Sequence, residues 1–271
     1  MRNNRSSSGQ VEQLAKCSNL KDLTDLDLSL NNIECDGAKS IATGCWSSLE
    51  SLNLAGNKIE REGALAIASS NVMKNLTKLD LTKGNIGVDS VNSITMHLQL
   101  KTLILHSNLL NDTACEMISN SPTMKNLTVL NLGNNTNITS KGASLIANSS
   151  YMQNLTKLVH YKNPIYSEGV KNIAQSPFMC NLTTLDLCYC YVENSGAEYL
   201  STSEYMSKLT RLDLSWNNMD VTGITAIANS PYLTKLKIVN VSRNHCDSFT
   251  YERLLQHLVV NNNCHLQLSL F

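Results

Sequence analysis

The chain has 271 residues and balances 22 Lys+Arg against 22 Asp+Glu, so it lacks the basic excess that a nucleic-acid binder usually carries. Hydrophobic residues make up 42% but aromatics only 5%, a skew that favours thin layers of Leu, Ile and Ala over a core of large rings. No apolar run approaches the roughly 18–20 residues of a membrane span, and Met1 to Gln10 has no apolar stretch of the kind a secretory signal needs. Nine cysteines, an odd number without a C-x-x-C pair, make a poor disulfide framework and a poor zinc site, which points to a reducing, cytoplasmic setting.

In chain order, residues 1–9 read as a flexible segment and 10–271 as one domain. A helix over 10–18 fits the second half of a preceding repeat, with Leu14 in its apolar slot. Nine repeats then run from about 20 to 262. Each opens on the pattern L-x-x-L-x-L-x-x-N-x-I, whose first position falls at Leu23, Leu49, Leu76, Leu100, Leu127, Leu155, Leu182, Leu209 and Leu236, in steps of 24 to 28 residues. The L-x-L core has the alternation of a short strand. The second half, typified by Gly63-Ala64-Leu65-Ala66-Ile67-Ala68, has the Ala content and spacing of an amphipathic helix. Ser121-Pro122, Ser176-Pro177 and Ser230-Pro231 stop that helix, and Met73, Met124, Met152, Met179 and Met206 fill the wedge before the next strand. A last strand over 265–270 points Leu266 and Leu268 inward and leaves an edge through which the chain can pair.

One repeat cannot bury its own apolar face, but a stack can. Parallel strands lie about 4.8 Å apart and helices are roughly 10 Å wide, so the predicted fold is an α/β solenoid, a curved right-handed β-α superhelix. The parallel sheet takes the concave face and the helices the convex face. Where the chain leaves each strand stands an Asn (Asn31, Asn57, Asn108, Asn135, Asn163, Asn217, Asn244) whose amide can satisfy turn groups that no ladder reaches. Gly84 and Cys190 replace it; Cys is an accepted substitute and Gly is not, so the third repeat is expected to be weak.

Over about residues 10–271 this pattern resembles the leucine-rich repeats of the ribonuclease-inhibitor type. The phrase N-L-T-x-L-D-L-x-x-N-x-I-x-x-x-G-A-x-x-I-A, matched in part at 181–197 and 208–228, is also similar to repeats of bacterial effector proteins. The resemblance implies a protein-interaction module without enzymatic activity or cofactor, and one version of it is an effector of an intracellular bacterium acting in host cytosol. Regulation of a small GTPase, as by a repeat-type GTPase-activating protein, is the alternative, although the acidic tail common in that group is missing. A ligase or F-box fusion would need a further domain.

In such a fold the third, fifth, seventh and eighth residues of each repeat line the concave side. Early repeats place small and polar residues there. Later ones align Tyr161, Lys162, Tyr189, Trp216 and Arg243, bordered by Asp186, Asp213 and Arg211. Trp, Tyr and Arg most often carry binding energy, so residues 161–243 are the expected contact site for a protein partner.

Other residues have plainer readings. His160 stands where a strand Leu belongs and reads as a neutral core histidine. His245-Cys246-Asp247 is not read as a catalytic group, because Cys246 falls in a buried slot and sequence neighbours diverge in space. The Asn-Leu-Thr sequons at Asn75, Asn126, Asn154 and Asn181 follow the repeat and read as turn-bonding Asn. No phosphate loop, dinucleotide fingerprint, H-E-x-x-H or calcium loop is present.

Overall fold

The structure, a computed structural model, describes residues 2, 4 and 6–245, and its contacts divide into two compact units, Met1–Asn135 and Thr136–Phe271. The expected strand over 265–270, its pairing edge, Cys246 and Asp247 lie outside the described residues.

The first unit runs α1 (Ser8–Ala15), β1 (Asp25–Asp27), α2 (Cys35–Ala42), β2 (Ser51–Asn53), α3 (Glu60–Ser69), β3 (Lys78–Asp80), α4 (Gly87–His97), β4 (Thr102–Ile104), α5 (Asp112–Ser119) and β5 (Val129–Asn131). Its five strands pair in sequence order, all parallel, with Leu26, Leu52, Leu79, Leu103 and Leu130 in one register line. These leucines are buried while their strand neighbours are half-buried or exposed, as a period of two requires of a sheet covered on one face. The second unit runs α6 (Ser140–Ala147), β6 (Lys157–Val159), α7 (Tyr166–Gln175), β7 (Thr184–Asp186), α8 (Glu193–Ser201), β8 (Arg211–Asp213), α9 (Val221–Ala228) and β9 (Ile238–Asn240). Here Leu158, Leu185, Leu212 and Val239 form the register line of a four-stranded parallel sheet. Each unit is thus a stretch of α/β solenoid, with one sheet face buried against its helices.

The helix α1 begins at Ser8 rather than near residue 10, because Gln10 reaches back to accept the Ser7 N–H at 3.0 Å, as a capping residue does. Two residues before it are tied to the first turn: the Asn4 and Ser6 N–H groups donate to Asn31 Oδ1 at 3.0 and 2.9 Å. Glycine in the helices allows close approach. A Cβ at Gly63 would stand 2.8 Å from the Ala38 methyl of α2, so α3 can lie against α2 only without one.

Asn57, Asn108, Asn135, Asn217 and Asn244 each serve both their own turn and a neighbour. Asn108 Oδ1 accepts from the N–H groups of Gly84 and Ile86, and its Nδ2 donates to the Leu81 carbonyl at 2.9 Å. Asn217 accepts from Cys190 and Val192 and donates to Leu187; Asn244 accepts from Asn217 and Met219 and donates to Leu214. Cys190 keeps the donor half of this arrangement through its thiol, 3.1 Å from the His160 carbonyl. Gly84 offers no side chain, so the amides of Asn57 and Ile59 lack the acceptor that Asn108 gives to Gly84 and Ile86.

A second set of side chains joins the opposite end of the repeats. The hydroxyls of Ser70 and Ser121 donate to the carbonyls of Ala42 and Thr95 at 2.5 and 2.6 Å. Those of Ser176, Ser203 and Ser230 donate to Ala147, Ala174 and Ser201. The serines read as helix stops therefore also bind the end of the preceding helix. Met73, Met124, Met152, Met179 and Met206 lie beneath them, fully buried.

Candidate functional site

Four strand ends of the second unit build the site. After each strand the chain turns sharply, and the eighth residue of every repeat there adopts the left-handed conformation: φ is 56° at Lys162, 59° at Tyr189, 59° at Trp216 and 58° at Arg243. Such a φ costs a non-glycine residue about 1 kcal/mol. The equivalent place in the second repeat holds Gly56. Large side chains at this turn are therefore not what local backbone energetics would choose.

The side chains form one continuous row. Tyr166 and Tyr191 stack with ring centres 5.3 Å apart, Tyr191 meets Tyr189 edge-on at 6.0 Å, and Tyr189 meets Trp216 at 6.2 Å. Cations rest on two of these rings: Arg243 lies over Trp216, the last of the row, at 5.3 Å, and Lys162 lies over Tyr189 at 5.9 Å and over Tyr161 at 5.3 Å. A hydrogen bond with Tyr161 holds the Lys162 ammonium above its ordinary range. The row is open to solvent, with Trp216 51%, Tyr166 49%, Tyr189 43% and Tyr191 37% exposed. Thr136, Lys162, Pro164, Tyr189 and Tyr191 line a cavity of about 370 Å³ beside it.

Tyr166 and Tyr191 were not among the residues that the strand positions single out. They enter because Tyr191 and Tyr166 also have positive φ, 58° and 55°, so the turn swings them beside Tyr189. A signal existed in the spacing Tyr189-Cys190-Tyr191, two residues apart across a sharp turn.

The carboxylates of the predicted charged border have a second occupation. Asp213 Oδ1 accepts from the Ser215 N–H at 3.0 Å and hydroxyl at 2.6 Å, and its Oδ2 accepts from Asn240 Nδ2 at 3.0 Å. Asp186 Oδ1 accepts from the Cys188 N–H at 3.1 Å. Asp27, Asn53, Asp80, Asn131 and Asn240 make the same bond to the amide two residues on, so a short polar residue at the fifth position is a recurring turn device. Burial pushes the Asp186 carboxyl above its ordinary range and the neighbouring Asp213 charge adds to this, against the Cys188 amide and the positive charges of Lys157 and Arg211. Arg211 itself is exposed. Cys188 lies among these groups, its thiol pushed up to about 11 by burial, with Asp213 and Asp186 adding to the shift. Such a thiol is a poor nucleophile at neutral pH.

His160 is fully buried beneath the row. Its Nδ1 accepts from Asn163 Nδ2 at 3.3 Å, while Nε2 has no partner among the described residues. Burial lowers its pKa to about 4. His245 is exposed, and its N–H donates to the Met219 carbonyl at 2.6 Å. Asn75 and Asn181 of the sequons donate to the Ser47 and Gln153 carbonyls at 3.0 and 2.9 Å. Among the described residues no three His, Cys, Asp or Glu side chains converge as a metal site, and no helix is long and apolar enough to cross a membrane. A larger groove, about 490 Å³, lies on the helix side of the first unit between Met96, Met117 and Pro122, and Glu116 is its one charged wall residue.

A family model described as Leucine Rich repeat matches residues 19–42, 47–68, 123–147, 178–201 and 205–228. A search of curated protein sequences finds no match. Among solved structures, an internalin from Listeria monocytogenes is similar, with a TM-score of 0.59 and 21% identity over 93% of this chain and 69% of that one; at this identity the likeness concerns the fold. The yeast complex of Rad7 and Elc1 aligns with a TM-score of 0.41 and 15% identity over 90% of this chain and 81% of that one.

Proposed function

We propose that this chain, a leucine-rich-repeat protein, is an interaction module that holds a protein partner on the outer sheet face of its second unit. The contact residues are Tyr161, Lys162, Asp186, Tyr189, Arg211, Asp213, Trp216 and Arg243, joined by Tyr166 and Tyr191. The observation that carries this reading is the exposed aromatic row, held at backbone positions where a large side chain brings no local advantage. A row held in sharp turns that follow paired strands needs little ordering on binding, so more of the contact energy appears as affinity.

In this reading the protein binds and does not catalyse. In support, the thiol nearest the row is held protonated at neutral pH. The finer reading is that the partner is a host protein met in a reducing cytosol, the protein being an effector of an intracellular bacterium. Its supports are the similarity of the 181–228 repeats to such effectors and the seven described cysteines, all free. The test is a quantitative pull-down with wild type beside the Tyr189→Ala/Trp216→Ala double variant. The expected outcome is a partner retained by wild type and lost by the variant, with unchanged circular dichroism; equal retention would place the contact elsewhere.

A further inference from the structure

The row has a charge order as well as a shape. Cations flank its Tyr189–Trp216 pair, Lys162 over Tyr189 and Arg243 over Trp216, and among the described residues neither is in an ion pair. Between them lie the rings of Tyr189 and Trp216, and the strands that lead to those rings carry Asp186 and Asp213 in register, with the positive charges of Lys157 and Arg211 acting on Asp186 from the strand starts. A ligand that matches this order is negative at two points, apolar between them, and carries no charge over the middle.

Distance sets the spacing. Lys162 and Arg243 belong to repeats three strands apart, about 14 Å at the usual separation of parallel strands. Contacts of 5.9, 6.2 and 5.3 Å link the Lys162 ammonium through the Tyr189 and Trp216 rings to the Arg243 guanidinium. An extended peptide rises about 3.3 Å per residue, so four residues cover that span. Four is even, so both ends project from the same face of the peptide, and so does the residue midway between them.

We infer that the row is a docking site for an extended acidic peptide segment of the form acid-x-apolar-x-acid, its first and last carboxylates on Lys162 and Arg243 and its central side chain on Tyr189 and Trp216. This rests on the contact-site reading above and adds the chemistry of the partner. A single-stranded nucleic acid also likes stacked rings and cations, but it carries a phosphate at every nucleotide and would set charge against Asp186 and Asp213.

The test uses the full chain and synthetic peptides with the core Glu-Thr-Phe-Thr-Glu. Trp216 is exposed and Trp46, the other tryptophan, is fully buried, so intrinsic fluorescence reports occupancy of the row. The expected result is saturable binding that weakens with salt. It should also fall about tenfold when both Glu become Gln, when one residue is inserted between them, or when either Lys162→Ala or Arg243→Ala is introduced. Equal binding of the Gln and Glu peptides, tighter binding of a uridine decamer, or no binding of the Glu peptide would overturn the inference. The two readings fail differently. If all peptides bind without regard to charge and only the Tyr189→Ala/Trp216→Ala variant loses them, the contact site stands and the acidic partner falls. If the Glu peptide binds that variant as tightly as wild type, measured by calorimetry, the contact site itself falls.

Discussion

At His160 a polar ring replaces the leucine that fills the same slot in other repeats, such as Leu187 and Leu214, and the replacement has two separable consequences. The unpartnered Nε2 costs about 1–3 kcal/mol of desolvation without a compensating bond. Because burial holds the folded pKa near 4 against 6.5 in the unfolded chain, the unfolded state binds the proton first as pH falls. Stability therefore rises with pH between about 4 and 6.5, and at the lower end the deficit from this one group is about 3 kcal/mol. His160→Leu is expected to raise stability by about 1–3 kcal/mol at pH 7 and to flatten the pH dependence of denaturant unfolding across that window. A variant no more stable than wild type, with the same slope, would contradict this account of the ring. The burial of His160 was legible in the sequence from the repeat alone. The bond to Asn163 and the orphaned nitrogen were not, because they depend on the rotamer of a ring that the pattern does not anticipate.

Among the elements, the turn after each strand is where structure and binding separate. The left-handed residue there suits glycine, and Gly56 shows the same turn made with one. Replacing Tyr189 and Trp216 by glycine relaxes that conformation while removing exposed ring contacts, two effects of similar size and opposite sign. The expected outcome for Tyr189→Gly/Trp216→Gly is a stability within about 1 kcal/mol of wild type by chemical denaturation, together with loss of partner binding. A large loss of stability would mean that the rings shield the strand ends rather than meet a partner. The strands, helices and register were legible because each Leu triplet and Ala-rich stretch has its own period. Less legible were the turn conformations, and with them Tyr166 and Tyr191, since a side chain's direction after a positive φ does not follow strand alternation. The fifth-position Asp and Asn show the opposite case. Their recurrence at Asp27, Asn53, Asp80, Asn131, Asp186, Asp213 and Asn240 was visible in the sequence and signals a turn device, so Asp186 and Asp213 serve the fold whatever else they touch.

For the molecule as a whole, the repeat assigns one face of the sheet to the core in each unit and leaves the other for contact. The first unit sets small or polar residues such as Ser29, Ala55 and Thr82 at the seventh position, whereas the second gathers every member of the aromatic row. This asymmetry is what turns a regular scaffold into a specific surface, and it is the central claim. Its most direct test is site-specific photo-crosslinking from two positions: Trp216 in the row and Glu116 on the helix side of the first unit, each replaced in turn by a benzophenone amino acid and exposed to the same cell lysate. The account predicts a discrete crosslinked partner from position 216 and none from position 116. Crosslinking from 116 with none from 216 would contradict it.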